Sequence, residues 1–295
     1  MTLEFGIRER HEADRLVALA LMEDLGDLGD LTTQALIPGG QDSVIEIAAR
    51  EEGVVAGLPV AETVLKNVDD SASWTSLCED GSKVQSGQAV ARVSGRLASL
   101  LTAERTCLNF LTHLSGVTTL TRRFVDAVSG SDCAILDTRK TIPGWRHLQK
   151  YAVRAGGGTN HRIGLFDGVL IKDNHIAGWE SGSRERSLAD AVLSARENTP
   201  PGIPIQVEVD SLEQLKAVLS ASPDMILLDN MDCPTMAEAV SIRDELAASV
   251  QLEASGNMSL ERVADVARTG VDRISIGALT HSAPSLDLGF DFMST

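Results

Sequence analysis

The chain has 295 residues and a formal net charge of −16; it is long enough for one large α/β barrel or for two ordinary domains with a core of native density. The acidic balance repels nucleic acid and anionic membranes at long range and so disfavours a polyanionic partner. Cys78, Cys107, Cys133 and Cys233 are widely spaced without a CxxC pair, MTLEFGIRERHEADR is charged from its fourth residue, and no run approaches a membrane span, so a cytoplasmic setting with reduced thiols is expected, without disulfides or cysteine-bound metal.

From Arg10 to Glu23 the residues Leu16, Leu19, Ala20 and Met22 suit an amphipathic helix, and the Gly- and Asp-rich loop EDLGDLGDLTT follows. Ser43 to Val55 and Trp74 to Val93 alternate as strands do, with turns at Gly53, Gly81, Gly87 and Gly95, so the first part of the chain reads as α+β. The stretch GSKVQSGQAV superficially resembles a lipoyl-type hairpin, but Lys83 lies outside the flanks that a carrier turn uses. It is taken as structure. A long helix is expected over RLASLLTAERTCLNFLTHLSGV, with Leu97, Leu100, Leu101, Leu108 and Leu111 on one stripe. Glu104 falls within that stripe and Arg105 at its edge; a buried charge needs a partner, so a structural ion pair is expected for Glu104.

Beyond Ser131 the rhythm changes to CAILDT, GVLIKDNH, IQVEVD, MILLDN, VQLEAS and RISIGAL, separated by helix-length segments. Such runs indicate parallel strands buried on both faces. The first five end at Asp137, Asp173, Glu208, Asp229 and Ser255 and the last near Gly277, positions that converge on one mouth in a (β/α) barrel. Six runs are fewer than a complete eight-stranded barrel requires. The fold class expected is therefore α/β, an N-terminal α+β domain plus an open, incomplete parallel (β/α) barrel. The domains are expected at 1–116, including the interdomain helix, and 117–280, with 281–295 as a tail returning to the first domain. Charge points to the same region. Between Arg105 and Lys172 ten Lys or Arg face four Asp and no Glu, with three of the six histidines, His113, His147 and His161, inside the window and His175 just beyond it. In a chain this acidic, the reversal reads as a cleft for a small, multiply charged anion.

LDTRKTIPGWR at 136–146 and QKYAVRAGGGTNHRIGLFDGVLIKDNH at 149–175 closely resemble the signature of quinolinate phosphoribosyltransferases. EDLGDLGDLTT, AERTCLNFLTHLSGV, VEVD, LLDN, EASGN and GVDRISIGALTHS extend the resemblance over nearly the whole chain. Four positions depart from the common pattern: Ile142 and Trp145 stand where Thr and Leu are frequent, Ala155 where Cys is, and Asn257 where Gly often is. Ala155 removes any thiol there, and Ile142 and Trp145 could alter the pocket wall.

The resemblance implies a seven-stranded open barrel and a homodimer whose sites borrow residues from the neighbour, with a hexamer as the other assembly it leaves open. It implies conversion of quinolinate and phosphoribosyl pyrophosphate to nicotinate mononucleotide, carbon dioxide and pyrophosphate in NAD biosynthesis. Arg139, His161, Arg162 and Lys172 would hold the dicarboxylate, Arg105 would reach in from the partner, and Lys140 would face the pyrophosphate. These assignments suit the chemistry, because Arg forks take carboxylates bidentately and Lys acts as a point charge on phosphate. Glu208 and Asp229 end adjacent runs with no basic residue nearby in sequence, which suits ribose hydroxyls and Mg2+. Lys140, Lys172, Glu208 and Asp229 are accordingly the candidate catalytic residues. Ser255, Gly256 and Asn257, with Gly277, sit where barrels bind phosphate and are assigned the 5-phosphate. Gly156 to Gly158 is read as a helix-terminating turn. Three rivals remain: a related phosphoribosyltransferase acting on another ring, a Schiff-base aldolase using Lys172, and a non-catalytic anion-binding protein.

Overall fold

The computed structural model describes residues 3–181 and 186–293. In chain order the elements begin with α1 (Ile7–Leu25), α2 (Leu31–Leu36), β1 (Asp42–Ala49), β2 (Gly53–Val54), α3 (Leu58–Val68), β3 (Ser73–Ser76), β4 (Lys83–Val84) and β5 (Ala89–Arg96). There follow α4 (Leu97–Ala127), β6 (Ala134–Leu136), α5 (Arg146–Ala155), β7 (Val169–Ile171), α6 (Asp173–Ser181) and α7 (Leu188–Asn198). The chain then alternates through β8 (Ile205–Val209), α8 (Leu212–Leu219), β9 (Met225–Asp229), α9 (Cys233–Leu246), β10 (Gln251–Ser255), α10 (Leu260–Arg268) and β11 (Arg273–Ser275). It closes with α11 (Ala278–His281) and β12 (Leu288–Phe292).

Two compact units emerge. The first comprises Met1–Arg122, Lys140–Gly158 and Ala278–Thr295. Its sheet runs β12-β1-β5-β3, every pair antiparallel, with β2 and β4 as a separate two-stranded pair. Lys83 lies in that pair, opposite Val54. The final residues 294–295 of the expected tail lie outside the described residues.

Helix α1 buries Glu9, Glu12, Ala13, Leu16 and Val17, an i, i+3, i+4 stripe. Leu19 and Met22, expected on the apolar face, are exposed at 51% and 71%; two glutamates take the inward positions because both have work there. Glu12 accepts the Leu148 N–H at 2.8 Å, satisfying an orphan donor in the first turn of α5, and Glu9 pairs with Arg154 at 2.9 Å. Tyr151, also on α5, donates to Asp80, which in turn accepts from Gly57 and Leu58 at the start of α3. These bonds explain a departure from the expected boundaries. Lys140–Gly158 belongs with the first unit, although the sequence places it in the barrel, and α4 runs unbroken across residues 116 and 117.

The glycines after α5 form the expected turn. Gly156, Gly157 and Gly158 donate to Ala152, Arg154 and Val153 in the last turn of the helix. A Cβ on Gly156 would lie 2.7 Å from the Thr118 carbonyl oxygen, so α4 and α5 approach there as only glycine permits. Glu104 is half-buried on α4, and the ion pair expected for it is not made among the described residues.

The second unit comprises Arg123–Arg139 and Thr159–Gly277. All six expected runs are strands, arranged as a parallel sheet in the order β6-β11-β10-β9-β8-β7. Where the resemblance implies seven strands, the seventh place is one residue long: Thr159 forms a parallel bridge to Leu136. Among the described residues β6 and β7 are not paired with one another, so the barrel is open there. Helices between successive strands bury aliphatic faces, as with Leu215, Val218 and Leu219 of α8, and Ser211 and Asp232 cap the helices that they precede.

Candidate active site

The parallel order of β6 to β11 brings the C-terminal ends of these strands to one edge, and most candidate residues of the second unit lie there. Lys172 directly follows β7, Glu208 is the penultimate residue of β8, Asp229 ends β9, Ser255 ends β10, and Gly277 lies two residues after β11. Arg139 follows β6 at an exposed position.

Arg162 carries the strongest indication of an anion site. Its Nη1 donates to the Gly168 carbonyl at 2.7 Å, while its Nε is buried without an acceptor. Burial and the like charge of Arg139 push its pKa below the ordinary guanidinium value, against the opposing carboxylate of Asp167. Two cations close enough to repel, one with a buried unused donor, form an arrangement that an incoming carboxylate would relieve. Asp167 also shapes the loop, accepting from the Ile163 and Gly164 N–H groups at 2.8 Å each.

His161 sits beside this arginine. Its Nδ1 accepts the Arg162 backbone N–H at 2.8 Å, and its Nε2 lies 3.4 Å from Glu253 Oε1. Burial pushes the Glu253 pKa up, but the adjacent His161 ring at 3.4 Å and the charge of Arg273 outweigh it and hold the carboxyl below the usual range.

Lys172 Nζ meets Glu208 Oε2 at 2.5 Å. Sequence proximity gave no sign of this pair, since 36 residues separate the two; adjacent parallel strands bring them together. Asp229 accepts from the Asn230 side chain at 2.8 Å. Glu208 and Asp229 therefore offer hard oxygen donors on neighbouring strands, and among the described residues no group of three or more His, Cys, Asp or Glu could hold a metal ion. That donor set suits a magnesium ion that takes most of its ligands from water and substrate phosphates.

The segment expected to take the 5-phosphate passes through the left-handed backbone region. Gly256 and Asn257 have φ of +99° and +47°, and a Cβ on Gly256 would fall 2.1 Å from Asn230 Oδ1. Asn257 departs from glycine within the left-handed region, where asparagine is the best tolerated alternative. Arg262 on α10 ties this loop to the preceding one, donating to the carbonyls of Gly256 at 3.3 Å and Met231 at 2.8 Å.

Two expected positions have other roles. Asp137 is fully buried and accepts the His161 N–H at 2.9 Å and the Asn160 amide at 2.6 Å, so it anchors the basic segment from below. Asp173 opens α6 and is exposed.

Lys140 and Arg105 belong to the first unit, both exposed. Thr280 Oγ1 donates to the Lys140 carbonyl at 2.7 Å. The buried Gln149 side chain accepts from the Ile142 N–H and donates to the Thr280 carbonyl, with His113 Nε2 3.0 Å away. Trp145, one of the departures from the common pattern, stacks on Phe110 at 4.8 Å and meets His113 edge-on at 5.3 Å. Its larger ring is thus absorbed within the packing of the first unit. Glu253, Gln149, Asp167 and Thr280 support the candidate residues without having been singled out in the sequence. The one signal available was the period-two alternation that places Glu253 on the same face as Ser255.

Known proteins show the same organisation. Residues 30–115 match the quinolinate phosphoribosyl transferase N-terminal domain and residues 117–291 its C-terminal domain. A relative from Mycobacterium leprae, named nicotinate-nucleotide pyrophosphorylase [carboxylating], is 49% identical over 92% of this chain and 94% of its own length. A tobacco quinolinate phosphoribosyltransferase [decarboxylating] is 39% identical over 92% of this chain and 80% of its own. The solved nicotinate-nucleotide pyrophosphorylase of Francisella tularensis superposes with a TM-score of 0.89 at 39% identity, covering 96% of each chain. With both domain signatures in order and identity of this extent, the chain belongs to the quinolinate phosphoribosyl transferase family.

Proposed function

We propose that the protein joins quinolinate to phosphoribosyl pyrophosphate, producing nicotinate mononucleotide, carbon dioxide and pyrophosphate for NAD synthesis. The observation that carries this reading is the Arg139–Arg162 pair, with like charges in proximity and a buried Arg162 Nε that lacks an acceptor. A pyridine dicarboxylate supplies both the charge and the acceptors. Arg162 and Arg139 take its carboxylates, with His161 beside them and Lys172 as a further point charge. Arg105 is exposed on α4 of one subunit and completes the site of the other in a homodimer. Lys140 faces the pyrophosphate and the 255–257 loop with Gly277 takes the 5-phosphate.

Displacement occurs at the anomeric carbon. The pyridine nitrogen donates its electron pair as the bond to pyrophosphate breaks, through a transition state with oxocarbenium character. Glu208 and Asp229 place negative charge near the ribose and favour that developing cation. They would also hold magnesium, which when bound supplies charge neutralisation on the departing pyrophosphate. Once the ring nitrogen is quaternary, the carbon–carboxylate bond beside it breaks and leaves its electron pair on a carbon stabilised by the positive nitrogen. Carbon dioxide departs, solvent protonates the ring carbon, and no protein nucleophile is required. Lys172 Nζ is engaged by Glu208 at 2.5 Å, which suits a charge offered to substrate rather than a Schiff-base nucleophile. The cytoplasmic reading is supported by four free cysteines, with burial pushing the Cys107 and Cys133 thiols up to about 12. Pyrophosphate release assayed with quinolinate and phosphoribosyl pyrophosphate tests the proposal, and absence of release with the folded protein at saturating substrates refutes it.

A further inference from the structure

Glu253 is fully buried in β10, and neither the dicarboxylate nor the ribose chemistry uses it directly. Its oxygens make no hydrogen bond of ordinary geometry. They face positive or protonated nitrogen instead: Oε1 lies 3.4 Å from His161 Nε2, and Oε2 lies 3.4 Å from Arg273 Nε on the neighbouring strand. An ion so deeply placed is strongly unfavourable unless such partners are maintained.

The other side of the imidazole explains what the contact accomplishes. Nδ1 accepts the Arg162 N–H at 2.8 Å, so it carries no proton, and the ring's N–H is Nε2, directed at Glu253. Asp137 meanwhile grips the His161 N–H and the Asn160 amide from below. A continuous set of contacts thus leads from Arg273 through Glu253 and the His161 ring to the backbone of Arg162.

We infer that Glu253 is a positioning residue: it fixes the tautomer and angle of His161, and through the ring sets the backbone from which Arg162 reaches the dicarboxylate. The inference rests on the reading of Arg162 as a dicarboxylate ligand. Supporting groups of this kind affect affinity on the order of tenfold to a hundredfold in metal sites, where a carboxylate orients a ligating histidine in the same way.

The first test leaves the protein unmutated. Nitrogen-15 spectra of histidine-labelled full-length chain, with His161 assigned from the loss of its signals in His161→Gln, should show a proton on Nε2 and none on Nδ1. A neutral ring protonated at Nδ1 overturns the inference. The second test compares Glu253→Gln with the charge-balanced double variant Glu253→Gln/Arg273→Gln, which removes the whole buried pair if the single change prevents folding. Either folded variant should raise the quinolinate KM about tenfold or more, leave the KM for phosphoribosyl pyrophosphate within twofold, and alter the His161 spectrum. Unchanged quinolinate KM together with an unchanged His161 spectrum refutes the positioning role. Wild-type turnover is the separate control on the underlying function: an inactive wild type sinks that reading, whereas the spectra still decide the state of His161.

Discussion

Replacing Glu208 with glutamine should push quinolinate affinity and turnover in opposite directions. Lys172 is assigned to the dicarboxylate, yet without ligand its ammonium rests 2.5 Å from Glu208. Quinolinate must therefore take this cation from a carboxylate that already holds it. The pair is only partly shielded, with side chains 45% and 14% exposed, so its worth lies near the upper end for solvent-exposed ion pairs, about 1 kcal/mol. Glu208→Gln removes that competition, and quinolinate should bind about fivefold more tightly in the absence of the second substrate. Turnover should fall, because the same carboxylate stabilises positive charge at the ribose; loss of one such preorganised group costs roughly a hundredfold. Calorimetry with quinolinate alone gives the first quantity and pyrophosphate release at saturation gives the second. Weaker quinolinate binding in Glu208→Gln, or turnover equal to wild type, would refute the reasoning.

Nicotinate lacks the carboxylate next to the ring nitrogen and should leave a cation of the Arg139–Arg162 cluster without its partner, a penalty of about 3 kcal/mol that lowers kcat/KM roughly a hundredfold; comparable use of the two acids, or nucleotide formed from 2-carboxylate-labelled quinolinate without labelled carbon dioxide, contradicts this. Arg105→Ala and Lys172→Ala should each be inactive as pure proteins, and mixing them should restore activity through hybrid dimers that contain one intact site. Confirmed chain exchange without recovered turnover removes the shared-site assignment. Glu253 has a folded pKa held below its ordinary value of 4.5 by His161 and Arg273, so its ionisation stabilises the fold fully above that value and progressively less as pH falls through the folded pKa. Acid-titrated melting curves should therefore show a shallower loss of Tm below that value in the Glu253→Gln/Arg273→Gln variant than in wild type, and parallel curves would show that the carboxylate is not ionised in the fold.

How much of this was legible in the sequence depended on the range over which each interaction acts. The six parallel strands were visible because burial on both faces leaves continuous aliphatic runs such as MILLDN and IQVEVD. The basic cluster was visible because TRK and NHR put its charges in two short motifs. The length of α4 was less so, since its last ten residues contain no terminating glycine or proline. The seventh strand escaped notice because it is a single bridge at Thr159, directly after a glycine turn that gives no alternating pattern. The apolar stripe of α1 was misplaced for a different reason. Charge normally marks an exposed face, but Glu9 and Glu12 are buried where they satisfy Arg154 and the first turn of α5, partners some 140 residues away.

The same reasoning separates the residues that meet substrate from those that hold them in place. Arg139, Arg162 and Lys172 are long cations in an acidic chain, and composition alone makes them conspicuous. Asp137, Glu208 and Glu253 are acids at or just after strand positions; run ends drew attention to Asp137 and Glu208, but no sequence signal separates an acid that supports the site from one that meets substrate. Pairing distinguishes them: Asp137 grips a backbone N–H and an amide, Glu208 meets the Lys172 ammonium at a partly open position, and Glu253 faces His161 and Arg273 where water is excluded. A carboxylate with an exchangeable, partly solvated partner can be recruited to substrate, because releasing that partner costs little. One enclosed between the Arg273 cation and the His161 ring N–H cannot be recruited without leaving a buried charge unpaired, so its contribution to the reaction is confined to geometry. By this criterion Glu208 is free to participate in turnover, whereas Asp137 and Glu253 hold rigid the segment that presents Arg162.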